Sequence, residues 1–148
     1  MSTMTTKGTK EILLGQWNDQ GAKVVALGEA IPAGAFDEKP ADGVRSAGEV
    51  FRHLAFWNRW VAATLRGESP DGSANEIPRK DAPSKAKALA AFEESVSAVA
   101  SAAAAGRGSE LSPEALEQLV SFLGHTAEHY GQLAVYARLK GVVPPASR

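Results

Sequence analysis

The 148-residue chain is of a size that fits one domain, with a core large enough to fold without disulfides. It contains no cysteine, which excludes a disulfide scaffold, a thiolate metal site and an internal thiol nucleophile. The formal net charge is −1 and the basic residues are scattered, so the sequence lacks the basic stripe of a nucleic-acid-binding protein. The N-terminus lacks the apolar core of a secretory signal, and we find no uncharged apolar stretch of about 18 residues. We therefore expect a single cytoplasmic domain over residues 1–148 that does not span a membrane.

Apolar residues at helical spacing predict a first helix over residues 9–30, after a flexible segment at 1–8. Three glycines, Gly15, Gly21 and Gly28, each weaken a helix by up to about 1 kcal/mol relative to alanine. They indicate either close packing against another backbone or a soft helix. The predicted apolar side consists of Ile12, Leu13, Trp17, Val24, Val25 and Leu27.

A second helix is predicted from Ser46 to about Arg66. Ser46 and Glu49 have the spacing of a capping box, in which each side chain bonds the other residue's backbone amide. The polar linker that follows, residues 67–83, is long enough when extended to run the length of a bundle. The second and third helices are therefore expected to be parallel neighbours joined by a crossover. The apolar side of the second helix contains Val50, His53, Leu54, Trp57, Trp60, Val61 and Thr64.

The third helix is predicted over residues 84–105 and the fourth over residues 112–140. The fourth begins at Ser112, a good N-cap, with Pro113 at the first helical position. Gly141 suits the position after the helix end. No alternating strand pattern is present, so the predicted fold class is all-α, a four-helix bundle.

The three histidines, His53, His125 and His129, all lie on predicted helices. His125 and His129 are four residues apart, which places both imidazoles on one helix face about 6 Å apart along the axis. His53 lies on the apolar side of the second helix, and bundle cores commonly build metal sites from facing helices. Three imidazoles suit a divalent ion such as Zn, Ni, Fe or Mn and leave a coordination position open, as catalytic sites do. Histidines on apolar faces also occur as hydrogen-bonded core residues, and spacing alone leaves this alternative open.

Two further polar residues, Gln132 and Glu128, lie close to the predicted ligands on the fourth helix. Gln132 lies one turn beyond His129 and is a candidate outer partner of a ligand. Glu128 is turned about 100° from His129, so it is poorly aimed to act as a ligand or base.

The second and fourth helices also carry aromatic and basic side chains close to the predicted ligands in sequence. Trp60 and Tyr130 are candidates for the wall of an apolar pocket, whereas Trp57 is expected to belong to the core. Arg52 and Arg59 could meet an anionic cosubstrate, but both are expected to be solvated charges on the helix surface. The sequence assigns no catalytic residue.

Two segments resemble the DinB-like superfamily of metalloproteins, also called DinB/YfiT-like. SAGEVFRHLAFWNRW at residues 46–60 resembles the family's second-helix segment, in which a Ser-Xaa-Xaa-Glu start precedes a metal-binding histidine. HTAEHYGQLAVYARLKGVVPP at residues 125–145 resembles the family's C-terminal end, with a His-Xaa-Xaa-Xaa-His pair and a Gly-Gln step. The resemblance implies an up-down-down-up bundle and a three-histidine metal site, which corresponds to His53, His125 and His129.

The resemblance also implies several functions. Some relatives are metal-dependent transferases that add a low-molecular-weight thiol to an electrophile, others are isomerases or are described as hydrolases, and many have no assigned role. Our first hypothesis is a thiol S-transferase acting on a small-molecule substrate, since a chain without cysteine would take its thiol from a cosubstrate. Metal-dependent hydrolysis ranks second, because Glu128 is a poorly placed base. A non-catalytic protein that binds a metal or small ligand is the third reading, and a homodimer is a further hypothesis.

Overall fold

We describe a computed structural model of the chain, which covers residues 6–106, 108 and 110–148. Within these residues the chain forms four α-helices and no strand, so the predicted all-α class is confirmed. Most of the predicted flexible segment, residues 1–5 of 1–8, lies outside the described residues. The helices are α1 (Thr9–Ala30), α2 (Ala47–Leu65), α3 (Lys85–Ala105) and α4 (Pro113–Leu139).

The helix ends follow the capping chemistry of the sequence. Ser46 accepts a hydrogen bond from the Glu49 amide at 3.2 Å, and the Glu49 carboxylate accepts one from the Ser46 amide at 2.7 Å. Ser112 accepts from the Ala115 amide at the start of α4. Gly141, just past the end of α4, has a φ of 73°, a left-handed conformation that glycine adopts without strain. The predicted capping box and helix end are therefore confirmed.

Two glycines of α1 allow close contact with the neighbouring helices. A Cβ atom on Gly28 would lie 2.5 Å from side-chain atoms of both Leu89 and Phe51, and one on Gly21 would lie 2.7 Å from Val96. Carbon atoms do not approach so closely, so these positions require the absence of a side chain. Gly15, by contrast, faces open space. Close packing thus explains two of the three glycines.

The core is built mainly where α2 packs against α3, while α1 contacts both α3 and α4. Phe51 of α2 makes an edge-to-face contact with Phe92 of α3, with ring centroids 5.6 Å apart. Further along, the Asn58 amide donates to the Ser95 hydroxyl at 3.1 Å. The predicted apolar side of α1 was wrong at Ile12, which is 52% exposed, because the buried stripe runs through Leu13.

Helix α3 is the one described helix that is long and apolar enough to cross a membrane by length and composition. Half of its apolar window is buried inside the bundle, and the core helix of a globular protein passes the same test. Any 18-residue window of α3 contains Glu93 and Glu94, so the helix is not an uncharged apolar stretch.

The linker between α2 and α3 packs along α2. Trp60 donates its indole N–H to the Pro70 carbonyl at 3.1 Å, and the Ile77 amide donates to the Arg52 carbonyl at 3.3 Å. The Ile77 side chain is buried in the main core cluster. These contacts bring the middle of the linker against α2, at the level of His53.

Candidate metal centre

The structure brings together His53 from α2 with His125 and His129 from α4. One ring nitrogen from each histidine lies within 4.8 Å of the others. The three rings are arranged edge to face, with centroids 4.7 to 5.0 Å apart. His53 is buried and the other two are half-buried.

The backbone of the linker orients His53. Nδ1 of His53 lies 2.7 Å from the carbonyl oxygen of Asn75. A carbonyl oxygen only accepts, so Nδ1 carries the proton and donates it. In the neutral ring Nε2 is then free of a proton and presents its lone pair to the other histidines.

Asn75 holds this carbonyl in place through an uncommon backbone conformation. Its φ is 58°, in the left-handed region where asparagine is tolerated better than most residues. The indole N–H of Trp57 donates to Asn75 Oδ1 at 2.7 Å. Trp57, which was expected in the core, is only half-buried. Its hydrogen bond holds the linker against α2 one turn away from His53.

A chain of three hydrogen bonds orients His129. The hydroxyl of Tyr136 donates to the carbonyl oxygen of Arg45 at 2.7 Å, so its oxygen is left to accept from the amide of Gln132 at 2.6 Å. The Gln132 amide oxygen then faces Nδ1 of His129 at 2.7 Å and accepts its proton. Nε2 of His129 is thereby left free, and Gln132 is the residue that contacts Nδ1.

His125 has a different environment. Its Nε2 lies 3.1 Å from Nε2 of His53, while its buried Nδ1 has no hydrogen-bond partner among the described residues. Without a second partner, the proton of His125 can reside on either nitrogen. Nε2–H can donate to His53, and with the proton on Nδ1 the same nitrogen has a free lone pair.

The closest pair of these nitrogens, from His53 and His125, has a spacing that fits a shared metal ion. Two imidazole nitrogens bound to one ion at about 2.0 to 2.1 Å lie about 2.9 to 3.4 Å apart. The 3.1 Å separation of the His53 and His125 nitrogens falls in that range. Nitrogen donors of this kind bind Zn, Ni and Fe, so the donor set and the spacing of this closest pair suit a borderline divalent ion.

Burial keeps the two closest histidines neutral. It lowers the pKa of His125 to about 4, with smaller contributions from the charges of His129, His53 and Arg45. Burial also lowers the pKa of His53, although the bond to the Asn75 carbonyl opposes this effect. Neutral imidazole is the form that binds metal, so these rings are poised to coordinate at neutral pH.

An aromatic group borders the cluster on the side of His125. Phe122, one turn before His125, contacts its ring edge to face at 5.7 Å. Trp57 and Trp60 both pack on Phe122, with centroids 5.8 and 5.9 Å away. Trp60 thus lies in an apolar wall beside the site, one ring removed from His125.

Tyr130, the other candidate for this wall, faces α1 instead. The ammonium nitrogen of Lys23 lies 4.3 Å from the centre of its ring, in a cation–π arrangement. Tyr130 also packs against the main core cluster. Its position next to His129 in sequence turns it about 100° away from the side of α4 that carries the histidines.

The structure corrects one prediction about charged residues. Arg52, expected on the surface, is 3% exposed, and its Nε lies 3.9 Å from a carboxylate oxygen of Glu76. Glu76 also accepts a hydrogen bond from Arg45 at 3.3 Å. Arg59 is exposed, as predicted, and Glu128 is exposed as well. The described residues of the histidine cluster include no carboxylate ligand.

Several residues around the site were not predicted, and a sequence signal existed for some of them. Phe122, His125, His129, Gln132 and Tyr136 follow one another at intervals of three or four residues, so one face of α4 carries them all. That stripe could have identified Phe122 and Tyr136. By contrast, Asn75 and Arg45 act through backbone carbonyls, which residue type does not reveal.

Comparison with known proteins agrees with this architecture. A family model described as the DinB superfamily matches residues 16–133, which include all three histidines. No curated protein and no solved structure matches the chain significantly. The family match covers well over half of the sequence, and the chain belongs to the DinB superfamily.

Proposed function

We propose that the chain binds one divalent metal ion through Nε2 of His53, His125 and His129. Two hydrogen bonds carry this proposal. Nδ1–H of His53 donates to the Asn75 carbonyl, and Nδ1–H of His129 donates to the Gln132 amide oxygen. Both rings are thereby fixed in the tautomer that aims Nε2 at a common point.

We further propose that the site serves a metal-dependent transferase that uses a small external thiol. A divalent ion held there would lower the pKa of a thiol at its open position and supply a thiolate at neutral pH. The chain has no cysteine of its own, so the sulfur must come from a cosubstrate. In the transfer, a sulfur–carbon bond forms, the leaving group departs from the electrophile, and the thiol proton goes to solvent.

The protein's own residues would bind and orient the reactants. Asn75 and Gln132 hold two ligands rigid, and the half-buried His125 and His129 leave an approach from solvent. The wall of Phe122 and Trp60 offers an apolar surface for an electrophile. Hydrolysis is less well supported, because Glu128 is exposed and turned away and no other carboxylate joins the cluster in the described residues.

Elemental analysis of the purified protein, followed by a conjugation assay, tests the proposal. The protein should contain close to one equivalent of metal and should conjugate a chlorodinitrobenzene with at least one small thiol. Chelation should abolish turnover, and the same metal should restore it. Ester cleavage without any thiol would instead support a hydrolase, and a protein that binds no added Zn²⁺ or Ni²⁺ would refute the metal site.

We also infer an up-down-down-up order for the helices. The pairs Phe51 with Phe92 and Asn58 with Ser95 support a parallel arrangement of α2 and α3. The contacts of the linker with Trp60 and then Arg52 support its course back along α2, as a crossover requires. The homodimer and the cytoplasmic location remain predictions, and the mass in solution tests the former.

A further inference from the structure

Two arginines beside the histidine cluster share a single carboxylate. Arg45 donates from Nε to one oxygen of Glu76 at 3.3 Å, and Nε of Arg52 lies 3.9 Å from the other oxygen. The buried Nε of Arg52 makes no hydrogen bond within the described part of the chain. This group of three, which we call the Arg45 cluster, therefore carries one positive charge in excess. Two further carboxylates lie nearby, and both are engaged elsewhere: Glu49 with Lys39 and the Ser46 amide, and Asp37 with Arg79.

The Arg45 cluster adjoins both sets of hydrogen bonds that orient His53 and His129. Glu76 directly follows Asn75, whose carbonyl accepts the proton of His53. The carbonyl of Arg45 accepts from Tyr136, the last member of the chain that begins at His129. The charge of Arg45 is also close enough to lower the pKa of His53 and His125, although burial is the larger cause.

The local charge favours an anion. Three neutral imidazoles do not balance a divalent ion, and the excess charge of the Arg45 cluster has the same sign. Positive charge held partly out of water is costly unless an anion accompanies it. Arg52 is 3% exposed and out of reach, but the side chain of Arg45 is 35% exposed. Its planar guanidinium suits a carboxylate, which it can bind through two parallel hydrogen bonds.

We propose that Arg45 binds a carboxylate group carried by the small thiol whose sulfur occupies the open metal position. This inference rests on the proposed function and specifies its cosubstrate class, a thiol that bears a carboxylate. The incoming carboxylate would share Arg45 with Glu76 and offset the excess charge. Arg45, rather than Arg52 or Arg59, would then be the residue that selects the cosubstrate.

Two thiols of similar size distinguish recognition of a carboxylate by Arg45 from binding of sulfur to the metal alone. Thioglycolate carries a carboxylate and 2-mercaptoethanol carries a neutral hydroxyl. The Co²⁺-loaded protein is titrated with each, and the sulfur-to-cobalt absorption band is recorded. In the Arg45→Gln variant the Kd for thioglycolate should rise about tenfold or more, as expected for the loss of a charged hydrogen bond. The Kd for 2-mercaptoethanol should stay within about twofold.

Matched variants complete the experiment. Arg59→Gln removes an exposed arginine of α2 and should change neither Kd. Arg45→Lys keeps the charge without the planar fork and should fall between wild type and Arg45→Gln. Equal weakening of both thiols in Arg45→Gln would overturn the proposal, because Arg45 would then only position the metal site. An unchanged thioglycolate Kd would overturn it as well.

A second probe distinguishes the failure of this inference from the failure of thiol transfer. Absence of the band with both thiols in the wild type would refute thiol binding at the metal. Acetate then tests Arg45 alone, through the thermal stabilisation that a ligand of the folded state produces. Stabilisation that is lost in Arg45→Gln would support an anion site at Arg45, and stabilisation equal in both proteins would overturn it.

Discussion

Replacement of Gln132 by leucine tests whether its amide tunes the metal site. The change removes the acceptor that lies 2.7 Å from Nδ1 of His129 and leaves that N–H without a partner. The loss of such an outer partner costs about 10- to 100-fold in metal affinity. Tyr136→Phe acts one step further away, because it removes the hydroxyl 2.6 Å from the Gln132 amide nitrogen. We expect a smaller loss of roughly 2- to 10-fold, the equivalent of one neutral hydrogen bond.

The two residues act in series, which predicts the behaviour of the double variant. Tyr136 can influence His129 only by holding Gln132, so it should matter little once the amide is gone. The Zn²⁺ affinity of Gln132→Leu/Tyr136→Phe should therefore match that of Gln132→Leu within about twofold. Competition with a chromophoric chelator at fixed pH measures all three affinities.

Comparison of the two single variants with the double variant tests whether Gln132 and Tyr136 act in series. Gln16→Leu, on the exposed side of α1, is the control for an apolar residue in place of glutamine and should bind Zn²⁺ as the wild type does. Strictly additive losses would show that Tyr136 and Gln132 act independently. A wild-type affinity in Gln132→Leu would show that the orientation of His129 does not depend on the hydrogen-bonded chain.

Three further outcomes follow from the geometry of the site. His125→Ala should lose more Zn²⁺ affinity than Gln132→Leu does, as measured by the same competition, and equal losses would argue against His125 as a ligand. The pKa of His125 is lowered by burial from 6.5 to about 4, so the unfolded chain takes up a proton that the folded metal-free protein does not. The free energy of unfolding should fall as the pH is lowered from 6.5 towards 4. Urea titrations should show a shallower fall in His125→Gln, and an unchanged slope would refute this assignment. Asn75→Ala should cost about 1 to 2 kcal/mol, because alanine is strained at the φ of 58°. Asn75→Gly avoids that strain and loses only the bond from Trp57, so calorimetry that ranks glycine as the less stable variant would contradict the argument.

The helices could be predicted from the sequence because local chemistry determines their ends. Ser46 with Glu49, Ser112 with Pro113, and Gly141 each act within a few residues of their own position. The pairing of His125 with His129 is equally local, since one helix turn sets it. The contribution of His53 depended on family resemblance, because contact between α2 and α4 is a property of the tertiary fold.

The residues that escaped prediction act over long sequence distances. Asn75 and Arg45 contribute carbonyl oxygens, and every residue type has one, so no residue pattern marks them. Arg52 was expected in solvent because arginine is rarely buried, yet the linker covers it. Tyr130 was predicted to line the pocket because it follows His129 in sequence. On a helix, however, a step of one residue turns the side chain by about 100°.

The bond between His53 and the carbonyl of Asn75 has a consequence for the linker as a whole. If His53 binds metal only when that carbonyl is in place, then metal occupancy and order in the segment around Asn75 are thermodynamically linked. Cleavage of the segment, or an insertion into it, should therefore lower the affinity for the metal. By reciprocity, the metal slows local opening of the segment, so its amides should exchange with solvent more slowly in the loaded protein. A stretch of chain outside the four helices would then report the state of the site inside them.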